Sequence, residues 1–156
     1  MPATERKINF YSTMAEYGCF SNFARAPFEV DGKIWLTAEH YFQAQKFPDA
    51  PEYQERIRAT ASPMVAARLG RSRSQPLRKD WETVKDDVMR QAVRLKFTLS
   101  RELRKILLAT EDAVLVEHTT NDRYWGDGGD GSGKNMLGKI LMEVRNEIRQ
   151  AQSLDD

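Results

Sequence analysis

The feature that most constrains this chain is a glycine-rich segment in its C-terminal third. Residues 122–138 read DRYWGDGGDGSGKNMLG, and five glycines fall within eight residues: Gly126, Gly128, Gly129, Gly131 and Gly133. Glycine tolerates positive φ and lets a ligand approach the backbone closely, so this segment forms neither a helix nor a regular strand. We expect a loop whose N–H groups face one side and bind phosphate or another anion, with a helix beginning behind it. A mobile surface turn is the alternative.

The bulk composition favours a single soluble domain. The chain has 156 residues, so we expect one domain, residues 1–156. Its net charge of +1 gives no overall field that would favour nucleic acid or an anionic membrane. The single cysteine, Cys19, excludes an intramolecular disulfide and is typical of a reducing compartment. No apolar run approaches the roughly 20 residues of a membrane span, and the first residues lack the apolar core of a signal peptide. We predict a cytoplasmic protein with no membrane partner, and the sequence leaves its oligomeric state open.

Turn and capping signals predict an α+β fold that is predominantly helical with a few short strands. Asp31-Gly32, between two β-prone runs, predicts a hairpin within 28–36. Thr37 and Ser62 are typical helix N-caps. The predicted strands are 8–11, 28–36 and 113–117, and the predicted helices are 38–47, 49–60, 62–71, 81–99, 102–109 and 136–151. Strands this few and this far apart exclude a doubly wound α/β sheet.

The predicted helix 38–47 places two opposite charges on a largely apolar surface. Four of its residues follow the spacing of one helix face: Glu39, Phe42, Gln43 and Lys46. Buried ionisable groups are expensive unless they pair or take part in chemistry. Because the helix is apolar over most of its circumference, Glu39 and Lys46 are candidate functional residues. A routine surface ion pair is the alternative.

Three other segments carry candidate ligand contacts, each with a structural alternative. Asn22 and Phe23 lie in an aromatic loop, where they bind a flat heterocycle or form an Asx-turn beside the core. Arg71 belongs to a basic run that either grips phosphate or is a solvated loop. Lys85 follows Trp81 by one helical turn, and its side chain points into a pocket or extends to solvent. None of these segments decides the function alone.

Several familiar site patterns are excluded. The run 128–135 (GGDGSGKN) matches the P-loop pattern except that Asn135 replaces the Ser or Thr that binds Mg²⁺. The aspartates of the glycine-rich segment miss the EF-hand spacing, and two histidines with one cysteine do not make a zinc site. We therefore predict neither a nucleoside triphosphatase nor a metal site.

Six separated blocks of this sequence, in this order and spacing, resemble the YbiA-like, or NADAR, family. They read GCFSNF (18–23), EHYFQAQKF (39–47), DWETVKDDVM (80–89), LKF (95–97), LVE (115–117), and WGDGGDG followed by GKNMLGKILMEVR within 122–145. Each block alone is a weak signal, but the set covers nearly the whole chain from Ile8 to Ile148. The resemblance implies one NADAR domain.

The resemblance implies an enzyme of the N-glycosidase class. The expected substrates are ribosylaminopyrimidine phosphates, reactive early intermediates of riboflavin synthesis, in which the C–N bond between ribose and base is cleaved. No cofactor and no metal are implied. Two alternatives follow from the same family: an ADP-ribosyl-guanine hydrolase acting on modified nucleic acid, or a non-catalytic sensor of an ADP-ribose-related or NAD-related nucleotide. The expected partner is a small ribose phosphate, with ADP-ribosylated nucleic acid as the alternative partner.

On this resemblance the candidate catalytic residues are Glu39, Lys46 and Asp127. A carboxylate near C1′ stabilises the positive charge that develops on ribose. Lys46 is the charge partner or the proton donor, or its amine attacks C1′ to form an imine; we favour the charged form because Glu39 is nearby. The expected substrate-binding residues are Asn22, Phe23, Arg71, Trp81, Lys85, Trp125, Gly126, Gly129, Gly131, Lys134 and Asn135. We expect Glu39, Lys46, Trp81 and Asp127 to close around one pocket.

Overall fold

The structure, a computed structural model, describes residues 6–155, and most of its regular structure is helical. The helices are α1 (Ala38–Ala44), α2 (Pro51–Ala59), α3 (Pro63–Arg71), α4 (Trp81–Leu99), α5 (Arg101–Ala109) and α6 (Met136–Asp155). The strands are β1 (Lys7–Phe10), β2 (Phe28–Val30), β3 (Lys33–Trp35) and β4 (Val114–Glu117), and Gly18–Phe20 form a 3₁₀ turn. The predicted α+β, mainly helical fold is confirmed. Residues 1–5, where the sequence predicts no signal peptide, lie outside the described residues.

The described chain forms two compact units, and the first consists of residues 6–21 and 97–155. In it β1 and β4 pair in parallel, with Ile8 opposite Leu115. The helix α6 packs on β4 and buries a stripe of apolar side chains: Leu137, Ile140, Leu141, Val144 and Ile148. No helix among the described residues is long and apolar enough to cross a membrane. The assignment of residues 1–156 to one domain stays a prediction.

Asn135 ties the end of β4 to the beginning of α6. Its Oδ1 accepts a hydrogen bond from Glu117 N at 2.9 Å, and its Nδ2 donates to the carbonyl oxygen of Leu115 at 2.9 Å. Asn135 has φ of +53°, a left-handed conformation that asparagine tolerates better than most residues. One turn into α6, a Cβ on Gly138 would overlap the carbonyl oxygen of Leu115, so the helix approaches the strand as closely as backbones allow.

The second unit consists of residues 22–96 and contains the hairpin of β2 and β3 with helices α1 to α3. The turn residues Asp31 and Gly32 have φ of +51° and +80°, as a two-residue hairpin turn requires, so the predicted hairpin is confirmed. The core beneath it contains Phe28, Trp35, Ala44, Phe47, Tyr53, Ile57 and Ala66. The helix α1 packs against both α2 and α3.

The predicted N-caps are confirmed, whereas α1 is shorter than predicted. Thr37 Oγ1 accepts from His40 N at 3.1 Å, and Ser62 Oγ accepts from Val65 N at 3.3 Å. The helix α1 ends at Ala44 instead of at residue 47. Its last turn tightens into bonds between residues three apart, because the proline at position 48 disfavours helical geometry in the residue before it.

Candidate active site

Lys46 lies just beyond the end of α1, and its ammonium group is held against two aromatic faces. Its Nζ is 5.6 Å from the ring centre of Trp81 and 6.0 Å from that of Phe42. The same atom donates a long hydrogen bond of 3.5 Å to the carbonyl oxygen of Gly70. Only 8% of the residue is exposed. A cation in this position is stabilised by aromatic faces and one weak acceptor, and it has lost most of its hydration.

This environment lowers the pKa of Lys46 from 10.5 to about 8. Burial is the main cause, because it disfavours the charged form, and the neighbouring positive charge of Arg73 is the next. Arg71 acts in the same direction, whereas the carboxylates of Glu39 and Glu82 raise the pKa. A lysine amine with a pKa near 8 is partly neutral at physiological pH and is therefore a potential nucleophile.

Glu39 lies on α1, seven residues before Lys46, and is equally buried, with 8% exposed. Gln43 Nε2 donates a hydrogen bond of 2.7 Å to Glu39 Oε1. Because a carboxylate oxygen only accepts, this bond fixes which end of the Gln43 amide faces Glu39. Gln43 Oε1 is buried and has no hydrogen-bond partner among the described residues. The sequence placed Gln43 on this face but did not identify it as a site residue.

The other predicted contacts of this unit differ in exposure. Trp81 is buried and packs on Phe42, with ring centres 5.1 Å apart. Asn22 is buried, and its Nδ2 donates to Met89 Sδ at 3.3 Å. Lys85 pairs with Glu82, with Nζ and Oε2 2.6 Å apart. Two further predicted residues, Phe23 and Arg71, are exposed.

Asp127, in the other unit, is 4% exposed and accepts several hydrogen bonds. Its Oδ2 lies 2.7 Å from His118 Nδ1. Its Oδ1 accepts from the backbone N–H groups of Thr119 at 3.1 Å and Gly129 at 2.8 Å. Burial alone would raise the pKa of Asp127, but the bonds from His118, Gly129 and Thr119 lower it below its usual value. The carboxylate is therefore ionised, and both of its oxygens are occupied.

The backbone N–H groups of the glycine-rich loop bond within the loop and its neighbours. Seven of them donate to oxygen atoms of the protein: residues 127, 128, 129, 132, 133, 134 and 135. Asp122 Oδ1 accepts from the N–H groups of Tyr124 and Trp125 at 2.9 and 2.8 Å. We expected these N–H groups to face a phosphate, and for these seven residues that prediction is wrong. Their N–H groups already donate to side-chain and carbonyl oxygens 2 to 11 residues away.

The glycines of the loop fall into two classes. Gly128, Gly129 and Gly131 have φ between +73° and +88°. A Cβ on Gly129 would overlap Thr120, and one on Gly126 would lie 2.8 Å from the carbonyl oxygen of Glu117. A Cβ on Gly131 would meet nothing within 4 Å. Gly126 and Gly129 are thus required for packing, and Gly131 is the predicted binding glycine that is open to solvent.

The remaining predicted residues of this loop are distributed around its rim. Trp125 is half-buried and meets Tyr124 edge to face, with ring centres 4.8 Å apart. Lys134 is exposed, and its Nζ lies 5.4 Å from the ring centre of Tyr124. The amide of Asn135 makes the two bonds to β4 described above, so a role in substrate binding competes with a structural one.

The structure brings together Glu39, Lys46 and Trp81, and it places Asp127 in the other compact unit. A single pocket formed by all four residues stays a prediction.

His118 is the second residue that the sequence did not identify as part of a site. Its partner Asp127 is nine positions away in an irregular loop, where no periodicity relates two residues. Among residues 6–155 no three His, Cys, Asp or Glu side chains are placed to hold a metal ion.

Comparison with known proteins gives a consistent set of relatives. A family model described as the NADAR domain matches residues 9–149. The N-glycosidase YbiA of Escherichia coli K12 is 64% identical over 141 residues, which cover 90% of this chain and 88% of that protein. The N-glycosidase Npun_R5314 of Nostoc punctiforme is 45% identical over 94% of this chain and 96% of that protein. The NMR structure of E. coli YbiA superposes with a TM-score of 0.87 and 61% identity, over 95% of this chain and 88% of that one.

Proposed function

This chain belongs to the NADAR family and is an N-glycosidase, and on that premise we propose that it hydrolyses ribosylaminopyrimidine phosphates, the early intermediates of riboflavin synthesis. A relative named riboflavin biosynthesis protein VVA0006, from Vibrio vulnificus, supports this substrate class. It is 43% identical over 94% of this chain, which spans 40% of that protein. The bond to be cleaved joins C1′ of ribose 5-phosphate to the nitrogen of the base. We place the reaction in the cytoplasm.

The observation that carries the proposal is the buried pair of Glu39 and Lys46 beside the face of Trp81. Cleavage of a C–N glycosidic bond builds positive charge on the ribose, and a buried carboxylate stabilises that charge more strongly than one in water. The Trp81 face suits stacking against a flat base. We further propose that Gln43 Oε1, the buried acceptor without a partner, takes a hydrogen bond from a ribose hydroxyl.

The lowered pKa of Lys46 favours its neutral amine as the nucleophile. The expected charged form rested on the attraction of Glu39, but burial and the two arginines outweigh that attraction. In the reaction we propose, the amine displaces the base at C1′, and one amine proton goes to the departing base nitrogen. The ribose ring then opens, its oxygen takes the second amine proton, and an imine joins Lys46 to the opened ribose. Water then hydrolyses the imine, which releases ribose 5-phosphate and restores the amine.

We expect kcat/KM to rise with pH through about 8 and then level, because only the neutral amine of Lys46 attacks and its pKa is lowered to about 8. Borohydride added during turnover reduces the imine, and mass spectrometry will find a ribose phosphate adduct on Lys46. Lys46→Arg is the matched variant, since it keeps the positive charge and lacks a neutral amine; we expect it to be inactive. A profile that falls above pH 8, with active Lys46→Arg and unmodified protein, would instead establish a charged Lys46.

The substrate is tested directly with purified protein. Incubation with a ribosylaminopyrimidine phosphate is expected to release free ribose 5-phosphate, and DNA that carries ADP-ribosylated guanine is the parallel substrate. Release of ADP-ribose alone, with no ribose 5-phosphate, would show that the substrate is modified nucleic acid and not a ribosylaminopyrimidine phosphate. Binding of either compound without turnover would identify the protein as a nucleotide sensor.

The role of the glycine-rich loop in binding can be separated from its role in stability at Gly131. We propose that Gly131, an expected substrate-binding residue at the open tip of the loop, contacts the substrate, so Gly131→Ala is expected to raise KM several-fold. Gly32→Ala is the matched control, since Gly32 also has positive φ and no atom within 4 Å of a built Cβ. Both replacements lower stability by about 1–2 kcal/mol, as a left-handed alanine does. Equal KM values in the two variants would show that the tip does not contact substrate.

A further inference from the structure

Arg73 follows the end of α3, and one side of its guanidinium group is anchored to the backbone. Its Nη1 donates hydrogen bonds to the carbonyl oxygens of Gly70 at 3.0 Å and Ser72 at 3.1 Å. The edge formed by Nε and Nη2 has no hydrogen-bond or ion-pair partner among residues 6–155, and the residue is exposed. Arg73 therefore holds an oriented pair of N–H donors in the geometry that binds two oxygens of one anion.

Two other arginines of the same unit show how this edge is used when a carboxylate of the protein neutralises it. Nε and Nη2 of Arg58 donate to Glu55 at 3.1 and 2.7 Å. The same two atoms of Arg78 donate to Asp80 at 2.6 and 3.0 Å. Glu55 and Asp80 are also the nearest acidic residues on either side of Arg73 in the sequence. Because both already pair with another arginine, the equivalent edge of Arg73 is left for a ligand.

The anchored side of Arg73 lies beside the proposed nucleophile. The carbonyl oxygen of Gly70, which accepts from Arg73 Nη1, also accepts the long bond of 3.5 Å from Lys46 Nζ. The two cationic groups are therefore no farther apart than these two bonds together allow. Gly70 itself is held against α1, because a Cβ there would overlap the side-chain oxygen of Gln43. Only a short chain of covalent bonds separates C1′ from phosphorus in ribose 5-phosphate, so a substrate with C1′ at Lys46 reaches Arg73 with its phosphate.

The charges around Lys46 also favour an anion here. Four charged side chains act on it electrostatically: the guanidinium groups of Arg73 and Arg71 and the carboxylates of Glu39 and Glu82. Arg71 is exposed, and in the described part of the chain its side chain makes no hydrogen bond or ion pair. Two arginines without a carboxylate partner thus lie near a buried lysine. A phosphate group compensates this excess of positive charge, and arginine suits it better than other cations because its donors are planar and forked.

We propose that Arg73 binds the 5′-phosphate of the substrate through its Nε and Nη2 edge, with Arg71 as a supporting cation; this rests on the proposed function. The glycine-rich loop, which the sequence favoured for this phosphate, uses seven of its N–H groups internally, so the phosphate needs other donors. The ligand class is a 5′-phosphate ester of ribose. It occurs in ribosylaminopyrimidine phosphates and, within a diphosphate, in ADP-ribosylated guanine, and the experiments below separate these two sources.

The test compares each protein on a ribosylaminopyrimidine with and without its 5′-phosphate. In the wild type we expect removal of the phosphate to lower kcat/KM by at least about 10-fold, as loss of a charged hydrogen-bonded contact does. Arg73→Gln should lose about 10–100-fold on the phosphorylated substrate and change the ratio between the two substrates toward one. Arg73→Lys, which keeps the charge without the fork, is expected to fall between them. The two losses do not add, because they remove the same contact.

A role of Arg73 through Lys46 alone predicts a different pattern. Burial and then Arg73 lower the pKa of Lys46, so Arg73→Gln also slows the reaction at neutral pH, but equally on both substrates. An equal loss on both would therefore overturn the proposal, and so would a wild type that ignores the phosphate. Arg68→Gln is the matched control, since Arg68 is exposed on α3 and is not among the charges that act on Lys46. We expect it to leave both rates unchanged.

Binding of ribose 5-phosphate, measured by calorimetry with ribose as the comparison, separates failure of the proposed function. If the wild type cleaves no ribosylaminopyrimidine phosphate but binds ribose 5-phosphate, and Arg73→Gln does not, the substrate is wrong and the phosphate contact stands. If only ADP-ribosylated guanine is cleaved, the Arg73 variants are compared on it, with the same expected loss of about 10–100-fold. If Arg73→Gln retains the wild-type kcat/KM on the phosphorylated substrate, the function stands and the contact is wrong. A wild type that neither cleaves these compounds nor binds ribose 5-phosphate overturns both.

Discussion

Replacing Lys46 by methionine is expected to abolish turnover and to make the protein more stable at neutral pH. Methionine keeps the apolar stem against Phe42 and Trp81 but removes a buried charge and the proposed nucleophile. We expect activity to fall by at least about 10³-fold. The free energy of unfolding at pH 7 should rise by about 1–3 kcal/mol, because burying a charge is costly and functional sites retain such groups at the expense of stability.

The pH dependence of this stability difference checks its cause. The folded pKa of Lys46 is lowered to about 8 from an ordinary 10.5, so between these values the unfolded chain binds a proton that the folded protein has released. Wild-type stability therefore rises with pH over this window relative to Lys46→Met. We expect the advantage of the variant to shrink by about 2 kcal/mol between pH 7 and pH 10, measured by denaturant unfolding.

Lys139→Met provides the surface control for this experiment, since Lys139 is exposed on α6. It measures what the same replacement does where no charge is buried. A Lys46→Met protein that is less stable than wild type at pH 7 would mean that the ammonium group is well solvated or well paired in the folded state. A stability difference that does not change with pH would contradict the lowered pKa.

Replacing Glu39 by glutamine is expected to lower kcat by about 10²–10³-fold with little loss of stability. The amide keeps the shape of the side chain, and its oxygen still accepts the bond from Gln43 Nε2. It no longer stabilises positive charge on ribose. Because the carboxylate raises the pKa of Lys46, its removal also moves the rising limb of the pH–rate profile to lower pH.

Asp87→Asn is the matched control for Glu39→Gln. Asp87 is exposed on α4 and forms an ion pair with Arg90, with Oδ1 and Nη1 2.8 Å apart. The same change from carboxylate to amide there should leave kcat and its pH profile unaltered, because an exposed ion pair contributes little. If Glu39→Gln retained full activity, the charge-stabilising role of Glu39 would be wrong.

The sequence predicted well those parts of the fold that depend on interactions between neighbouring residues. The hairpin turn at Asp31-Gly32 needs positive φ at two positions, and few residue pairs supply it. The caps at Thr37 and Ser62 need a hydroxyl next to the first helical turn. Both signals involve only two to four neighbouring residues, so the sequence alone is enough to recognise them. The juxtaposition of Glu39 and Gln43 followed in the same way from helical spacing.

The parts that depend on distant partners were predicted less well. We expected the N–H groups of the glycine-rich loop to bind a ligand. They instead donate to Asp122, to Asp127 and to other carbonyl oxygens up to 11 residues away. The contact of His118 with Asp127 likewise joins two residues that are nine positions apart in irregular chain. The nearby carboxylate of Glu39 was expected to keep Lys46 charged. Burial and two neighbouring arginines instead lower its pKa, and no spacing rule reveals that environment.

The hydrogen bonds of the glycine-rich loop also determine how it exchanges with solvent. Amides at 128, 129 and 133–135 donate to acceptors within the same loop, and the amide of Asp127 donates to the carbonyl oxygen of Glu117 in β4. Releasing one hydrogen therefore requires several bonds to open together. In deuterium oxide we expect these amides to exchange slowly and at similar rates, whereas Gly131 at the exposed tip exchanges fast. Rapid exchange throughout, measured by NMR, would contradict this. A segment with the composition of a flexible linker then behaves as one cooperative structural element of the protein.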